Sequence, residues 1–274
     1  MKVILLVLAL LLAGCGPRQE PGWLGYVEGE TALIAPPQSG WIVSLNVTRG
    51  AQVKPGDILF TLDTTGQAAV HDNAASQLAA AEDGITMAKA EVERTARELA
   101  RQRELVRIGG TPRRDLEVAQ AAYDSAAAKL SQLSAQADAA RATLASADWN
   151  LSERVVRARV AGRVEDIFFR PGEYASAGTP VVSVLPPGNI YVRFFIPETQ
   201  LATARLGEQV RVRCDGCPPK LSAAITFIAA QSEFTPPIIY SVGNREKLVF
   251  RAEARAPALA GLRPGLPVTV APVR

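Results

Sequence analysis

The chain has 274 residues, 48% hydrophobic and 21% charged, with a formal net charge of +3. Its basic residues are interspersed with acidic ones, which excludes a nucleic-acid partner, since that needs a clustered basic surface. With 8 Phe, 5 Tyr and 3 Trp and an alanine-rich middle, the composition argues against one large core and for two or three small domains.

The first predicted element is an export signal. Lys2 precedes an apolar run over 3–12, followed by Ala13, Gly14 and Cys15. This is the layout of a secretory signal peptide, and the run falls short of the roughly 20 apolar residues a membrane span needs. Leu12-Ala13-Gly14-Cys15 also resembles a bacterial lipobox. That resemblance implies removal of 1–14, lipidation of Cys15 and a lipid-anchored tether over 15–29.

The next segment, 30–66, reads as short strands separated by glycine turns. From 67 to 154 proline occurs only at Pro112, and Ala, Leu and charged residues dominate. Leu116, Ala119, Tyr123, Ala126, Leu130, Leu133, Ala137, Ala140, Leu144, Ala147 and Leu151 recur at alternating steps of three and four, the seam of a coiled coil. A weaker seam runs through Leu78, Ala81, Ile85, Ala88, Val92, Thr95, Leu99, Gln102 and Val106. Gly109-Gly110-Thr111-Pro112 breaks the helix between them. The pattern predicts an antiparallel α-helical hairpin reaching roughly 60 Å. His71, the only histidine, falls near the first-arm seam and is expected to be a partly buried structural residue.

Residues 155–187 repeat the segment before the hairpin. Gly40, Ile42, Leu45, Val47, Gly50, Gly56, Leu59, Phe60 and Leu62 are matched at one constant offset by Gly162, Val164, Ile167, Phe169, Gly172, Gly178, Val181, Val182 and Val184. Either half alone would expose an apolar face, so the halves are expected to pack on each other. Over 188–274, strand-like runs at 190–196, 209–213, 223–229, 247–253 and 267–270 predict a small β-barrel.

The segment 40–63, centred on Gly50-Ala51-Gln52-Val53-Lys54-Pro55-Gly56-Asp57, resembles half of a biotinyl/lipoyl domain, and 158–185 resembles the other half. A split lipoyl domain around a coiled-coil hairpin resembles the HlyD family of periplasmic adaptors, or membrane fusion proteins. Ile196-Pro197-Glu198, Ser232-Glu233-Phe234-Thr235-Pro236-Pro237 and the run from Leu262 to Val268 resemble the barrel of its YbhG-like branch. The resemblance implies a mixed α+β, elongated fold: a split lipoyl-like β-domain interrupted by the hairpin and followed by the barrel. It further implies a periplasmic adaptor that bridges an inner-membrane transporter, of the ABC type, to a TolC-type outer-membrane duct and self-associates into a ring. The lipid anchor would sit in the inner membrane in preference to the outer. An adaptor for an RND or major-facilitator pump is the alternative within transport, and an envelope-binding lipoprotein with no transporter is the alternative outside it.

The residues give enzyme chemistry little support. A single histidine removes Ser-His-Asp arrangements and most metal sites, there is no phosphate loop ending in Gly-Lys-Ser/Thr, and neither a metal nor a cofactor is expected. Gly66 stands where a carrier domain has its modifiable lysine, so a swinging arm is not expected. At the tip, Arg101 and Leu105 fit the first two positions of the family's duct-docking pattern. Pro112 stands where its serine would be, beside the hydroxyl of Thr111, and Arg113 and Arg114 add charge. The alternative is that these arginines only solubilise an exposed turn. Cys214-Asp215-Gly216-Cys217 suits a tight turn closed by a local disulfide, with free thiols or a redox role as the alternative.

Overall fold

The computed structural model describes residues 22–234 and 248–273. The signal segment 1–14, Cys15 and Thr235-Pro236-Pro237 lie outside the described residues. The chain divides into two compact units: Leu33–Arg159 with Asp166–Val182, and the described parts of Met1–Ala32, Val160–Glu165 and Ser183–Arg274.

The first of these units carries the arms. Helix α1 (Thr65–Arg107) has 43 residues and α2 (Arg113–Ser152) has 40, so each extends about 60 Å at 1.5 Å per residue. Every expected seam position is buried or half-buried. The fully buried ones are Ala88, Thr95 and Leu99 on α1 and Ala119, Ala126, Ala137 and Ala147 on α2, and Ala74 continues the α1 seam towards its start. Alanine lets the arms approach closely, but it contributes little apolar area per residue.

Strands β2 (Ala32–Ile34), β3 (Gly40–Leu45), β4 (Gln52–Val53) and β5 (Ile58–Leu62) precede the arms. Strands β6 (Val155–Arg157), β7 (Gly162–Ile167), β8 (Tyr174–Ala175) and β9 (Val182–Leu185) follow them. They build two four-stranded sheets of order β6–β5–β3–β8 and β2–β9–β7–β4. Each sheet mixes strands from both sides of the insertion, with Gly40 opposite Ala175 and Thr61 opposite Val155. Interleaving is how each half covers the other's apolar face, and Ile42, Leu59, Phe60, Leu62, Ala175, Val181 and Val182 are the buried result.

The sequence repeat survives down to single hydrogen bonds. Ala51 donates to the Thr48 carbonyl and Glu173 to that of Arg170, both at 3.1 Å. Asp57 donates to Lys54 and Thr179 to Ser176, again at 3.1 Å, while Asn46 donates to Leu59 and Phe168 to Val181 at 2.9 Å. The matched glycines share a left-handed backbone, φ +84° and +90° at Gly50 and Gly172, +95° and +77° at Gly56 and Gly178. Only glycine adopts that conformation without steric cost, so the same residue recurs in both copies.

The other unit contains a closed antiparallel barrel. Its strands are β1 (Trp23–Gly29), β10 (Ile190–Pro197), β11 (Gln209–Arg213), β12 (Ser222–Phe234), β13 (Leu248–Arg255) and β14 (Pro267–Pro272), in the order β1–β10–β13–β12–β11–β14. Trp23 stacks on Phe194 with ring centroids 5.5 Å apart inside a core that includes Val27, Ile196, Val210, Ile225 and Val270. Residues 23–29 therefore belong to the barrel and not to the tether assigned to 15–29. Trp23 and Val27 point inward and Leu24 and Tyr26 lie on the other face. The two glycines at Gly25 and Gly29 hide that alternation; β10 backbone crowds Gly25, and the Leu185 and Pro264 side chains crowd Gly29. On the outer face Arg193 pairs with Glu28 at 2.6 Å and Glu253 at 3.2 Å and donates to the Tyr191 hydroxyl at 2.8 Å, tying three adjacent strands together.

At Gly162 an added Cβ would run into the Leu185 carbonyl and lie 2.8 Å from Val184 Cγ1, whereas at Gly188 it would meet nothing within 4 Å. Gly162→Ala is expected to destabilise the protein by about 2 kcal/mol or more, and Gly188→Ala by less than about 0.5 kcal/mol. Chemical denaturation of the two variants compares them directly.

Candidate functional site

The foot of the hairpin is held by polar contacts from both sides. Leaving β5, the chain reaches Asp63, whose Oδ1 accepts the Thr65 hydroxyl at 2.7 Å and the Thr65 N–H at 3.0 Å. Those bonds, the hydroxyl first, hold the Asp63 carboxyl below its ordinary value. They also set a negative charge at the start of α1, where the helix dipole favours it. Gly66, at the carrier lysine's position, lies in the first turn of that helix.

The returning chain is fixed by Arg154. Its side chain is buried, Nη1 donates to the Ser39 carbonyl at 3.0 Å, and its own carbonyl accepts the Leu62 N–H at 2.8 Å. A side chain on Gly40 would collide with the guanidinium, so the glycine that opens the repeat also makes the space for Arg154. Gln38 Nε2 adds a 2.6 Å bond to Asn150 Oδ1 in the last turns of α2. His71 bridges the arms: Nε2 lies 3.0 Å from Asp148 Oδ1 on α2, and Nδ1 lies 3.0 Å from Asp72 Oδ1 on α1. Its side chain is 29% exposed.

At the other end, α1 stops through Gly109, whose φ of +72° lets Gly110 N–H reach the Leu105 carbonyl at 2.8 Å. This is a glycine helix stop. Thr111 donates to Asp115 Oδ2 at 2.8 Å, and Pro112, extended, caps α2. Arg113 and Arg114 are the first two residues of α2 and are exposed. Arg101 and Leu105 lie one to two turns below the loop on α1. Arg101 is ion-paired with Glu98 along its own helix, and Leu105 is half-buried, close beneath Gly110. The tip thus gathers Thr111, Pro112, Arg113 and Arg114 at the turn itself, while Arg101 and Leu105 already have local partners. Ile108, 63% exposed, joins them at the turn; it sits one residue before the Gly-Gly break, which is the signal that could have singled it out.

On the barrel, Cys214 and Cys217 form a disulfide across the Asp215-Gly216 turn, with Cα atoms 5.3 Å apart. Both pack against the barrel core. Cys214 and Asp215 also line an open cleft of about 580 Å³ with Leu24, Tyr26, Phe195 and Val268.

Of the residues at the foot, Asp63 carries a sequence signal, an acidic residue just before a Thr-Thr helix start. Arg154, Ser39 and Asp148 carry none, because their partners lie far away in sequence. Among the described residues no helix is long and apolar enough to cross a membrane.

A family model described as "RND MFP, barrel-sandwich hybrid domain" matches residues 30–185. Uncharacterized protein YdhJ of Escherichia coli (strain K12) is 31% identical over 191 residues, which cover 69% of this chain and 61% of that protein. The chain therefore spans less than two thirds of that relative. Colistin resistance protein EmrA of Acinetobacter baumannii is 25% identical, over 89% of this chain and 84% of that one. The crystal structure of MacA from Actinobacillus actinomycetemcomitans has a TM-score of 0.73 at 19% identity, covering 93% of this chain and 79% of that one. At that identity the likeness is one of fold.

Arg154→Ala removes the Ser39 carbonyl's partner and leaves a void beside Gly40. A loss of about 2–4 kcal/mol is expected in chemical denaturation. New proteolytic cuts near residues 62–64 should accompany it while the helical circular dichroism signal is kept. Labelling of the unreduced, denatured protein is expected to find no reactive thiol at Cys214 or Cys217, and two after reduction.

Proposed function

The chain belongs to the membrane fusion protein family, and from that premise we propose that it is a periplasmic adaptor subunit of an export machine. The observation that carries this reading is the hairpin. Some 43 and 40 residues are spent on two arms with an alanine seam, clamped at one end by interleaved strands and ending at the other in an exposed turn. Such an element transmits position across a distance, which is what a spacer between two membrane complexes requires. In this reading the energy for export is supplied by a separate transporter.

In this reading the hairpin tip meets a TolC-type outer-membrane duct and the barrel meets the inner-membrane transporter. Copies assemble into a ring, and Cys15 carries a lipid that holds each of them at the inner membrane. The likeness of the barrel motifs to the YbhG-like branch supports an ABC-type transporter with its ATPase. The description of the matching family supports the second reading, an RND pump. One relative is named for colistin resistance; the cargo of this chain is a separate question.

The tip carries its own argument. Cations in the first turn of a helix face the positive end of the dipole, which disfavours them. Arg113 and Arg114 occupy the first two positions of α2 all the same, so a partner's carbonyls or carboxylates account for them better than folding does.

Replacing Arg113 and Arg114 together by Glu is therefore expected to leave thermal stability unchanged or raised. Recovery of the outer-membrane duct in pull-down should fall by about tenfold or more, as for other rim and contact charges reversed at an interface. Undiminished recovery, with export intact, would overturn the docking role. Cys15→Ser is expected to abolish incorporation of labelled palmitate and release the protein from membranes. Co-purification with an ATPase-bearing permease, or with an RND pump, separates the two transporter readings.

A further inference from the structure

We propose that His71 is a proton-operated staple at the foot of the hairpin, holding the two arms together more firmly when its imidazole is protonated. It is the only histidine in the chain, and it stands within two turns of the start of α1. Asp72 on its own helix and Asp148 on the opposite arm are the charged groups facing the ring, each 3.0 Å from one ring nitrogen.

The chemistry follows from counting protons. A neutral imidazole has one N–H and one lone pair. It donates to one carboxylate and turns its lone pair towards the other, an arrangement that is repulsive at 3.0 Å. One proton added to the bare ring nitrogen converts both contacts into charge-assisted hydrogen bonds. The bond to Asp72 joins sequence neighbours and constrains nothing between the arms. The bond to Asp148 crosses from α1 to α2, six residues before Arg154 returns the chain to the β-module.

Both carboxylates favour the charged ring, the Asp72 hydrogen bond first, and the His71 pKa is raised above the ordinary 6.5. A raised folded-state pKa means that the contribution to stability is fully present below 6.5. It is lost as pH rises through the raised value. Around His71 the nearest buried seam residues are Ala74 and Ala147, whose small contacts leave a polar cross-link a large share of the local cohesion.

The test uses the mature full-length chain. The single imidazole resonance is expected to titrate with a midpoint above 6.5 and to move down towards it in Asp148→Asn. Hydrogen exchange over residues 68–76, corrected for the intrinsic effect of pH, should show about threefold or more greater protection near pH 5.5 than near pH 8. His71→Gln should abolish that difference, and Asp148→Asn, which keeps Asp72, should reduce it. A midpoint at or below 6.5, equal protection at the two pH values, or a pH dependence that survives in His71→Gln would each overturn the proposal.

Discussion

The Arg154 guanidinium is buried at a cost in desolvation that a single acceptor, the Ser39 carbonyl, offsets only in part, Nε being left without a partner among the described residues, and that one bond helps to fix the hairpin's foot. Its side chain reaches the Ser39 carbonyl and its backbone receives the Leu62 N–H, so one residue ties the end of α2 to both β3's approach and β5's exit. Gly40 has to be glycine for this to happen. Gly40 also stands opposite Ala175 in the pairing of β3 with β8. The clamp is a constraint on the backbone as much as an attraction between side chains.

The arms themselves contribute less cohesion than their length suggests. Their buried seam is largely alanine, and the i,i+3 and i,i+4 ion pairs along them, such as Arg94 with Glu91 and Arg97 with Glu93, are exposed. Pairs of that kind are screened by solvent and add little. Cross-arm polar contacts are correspondingly important: Arg141 to Glu82 at 3.2 Å, Arg103 to Gln120 at 2.9 Å, and His71 to Asp148. They are spread from foot to tip and fix the register that a seam of near-identical small residues would leave poorly specified.

Much of this was legible in the sequence because it is periodic or repeated. The seam positions point inward without exception, the Gly-Gly-Thr-Pro break falls between α1 and α2, and the paired glycines mark equivalent turns. What was not legible depends on partners far apart along the chain. The first barrel strand escaped because Gly25 and Gly29 replace the apolar residues that would have shown its alternation. Arg101 is exposed, and its ion pair with Glu98 one turn away follows from the spacing along the helix. The fate of Arg154, a charged residue at the end of a solvated helix, is decided by a carbonyl 115 positions earlier, and no local pattern announces that.

Strands β5 and β6 are adjacent and antiparallel, with Thr61 opposite Val155. In topological terms the two helices are nothing more than the loop of a β-hairpin, grown long. A loop whose ends are fixed by its own flanking strands has a length that is free to vary. Adding or deleting seven residues on each arm keeps the seam in phase and changes the reach by about 10 Å, while the sheets beneath feel the same two chain ends. The reach of the hairpin is therefore an adjustable dimension, set separately from the sheets that hold its two ends.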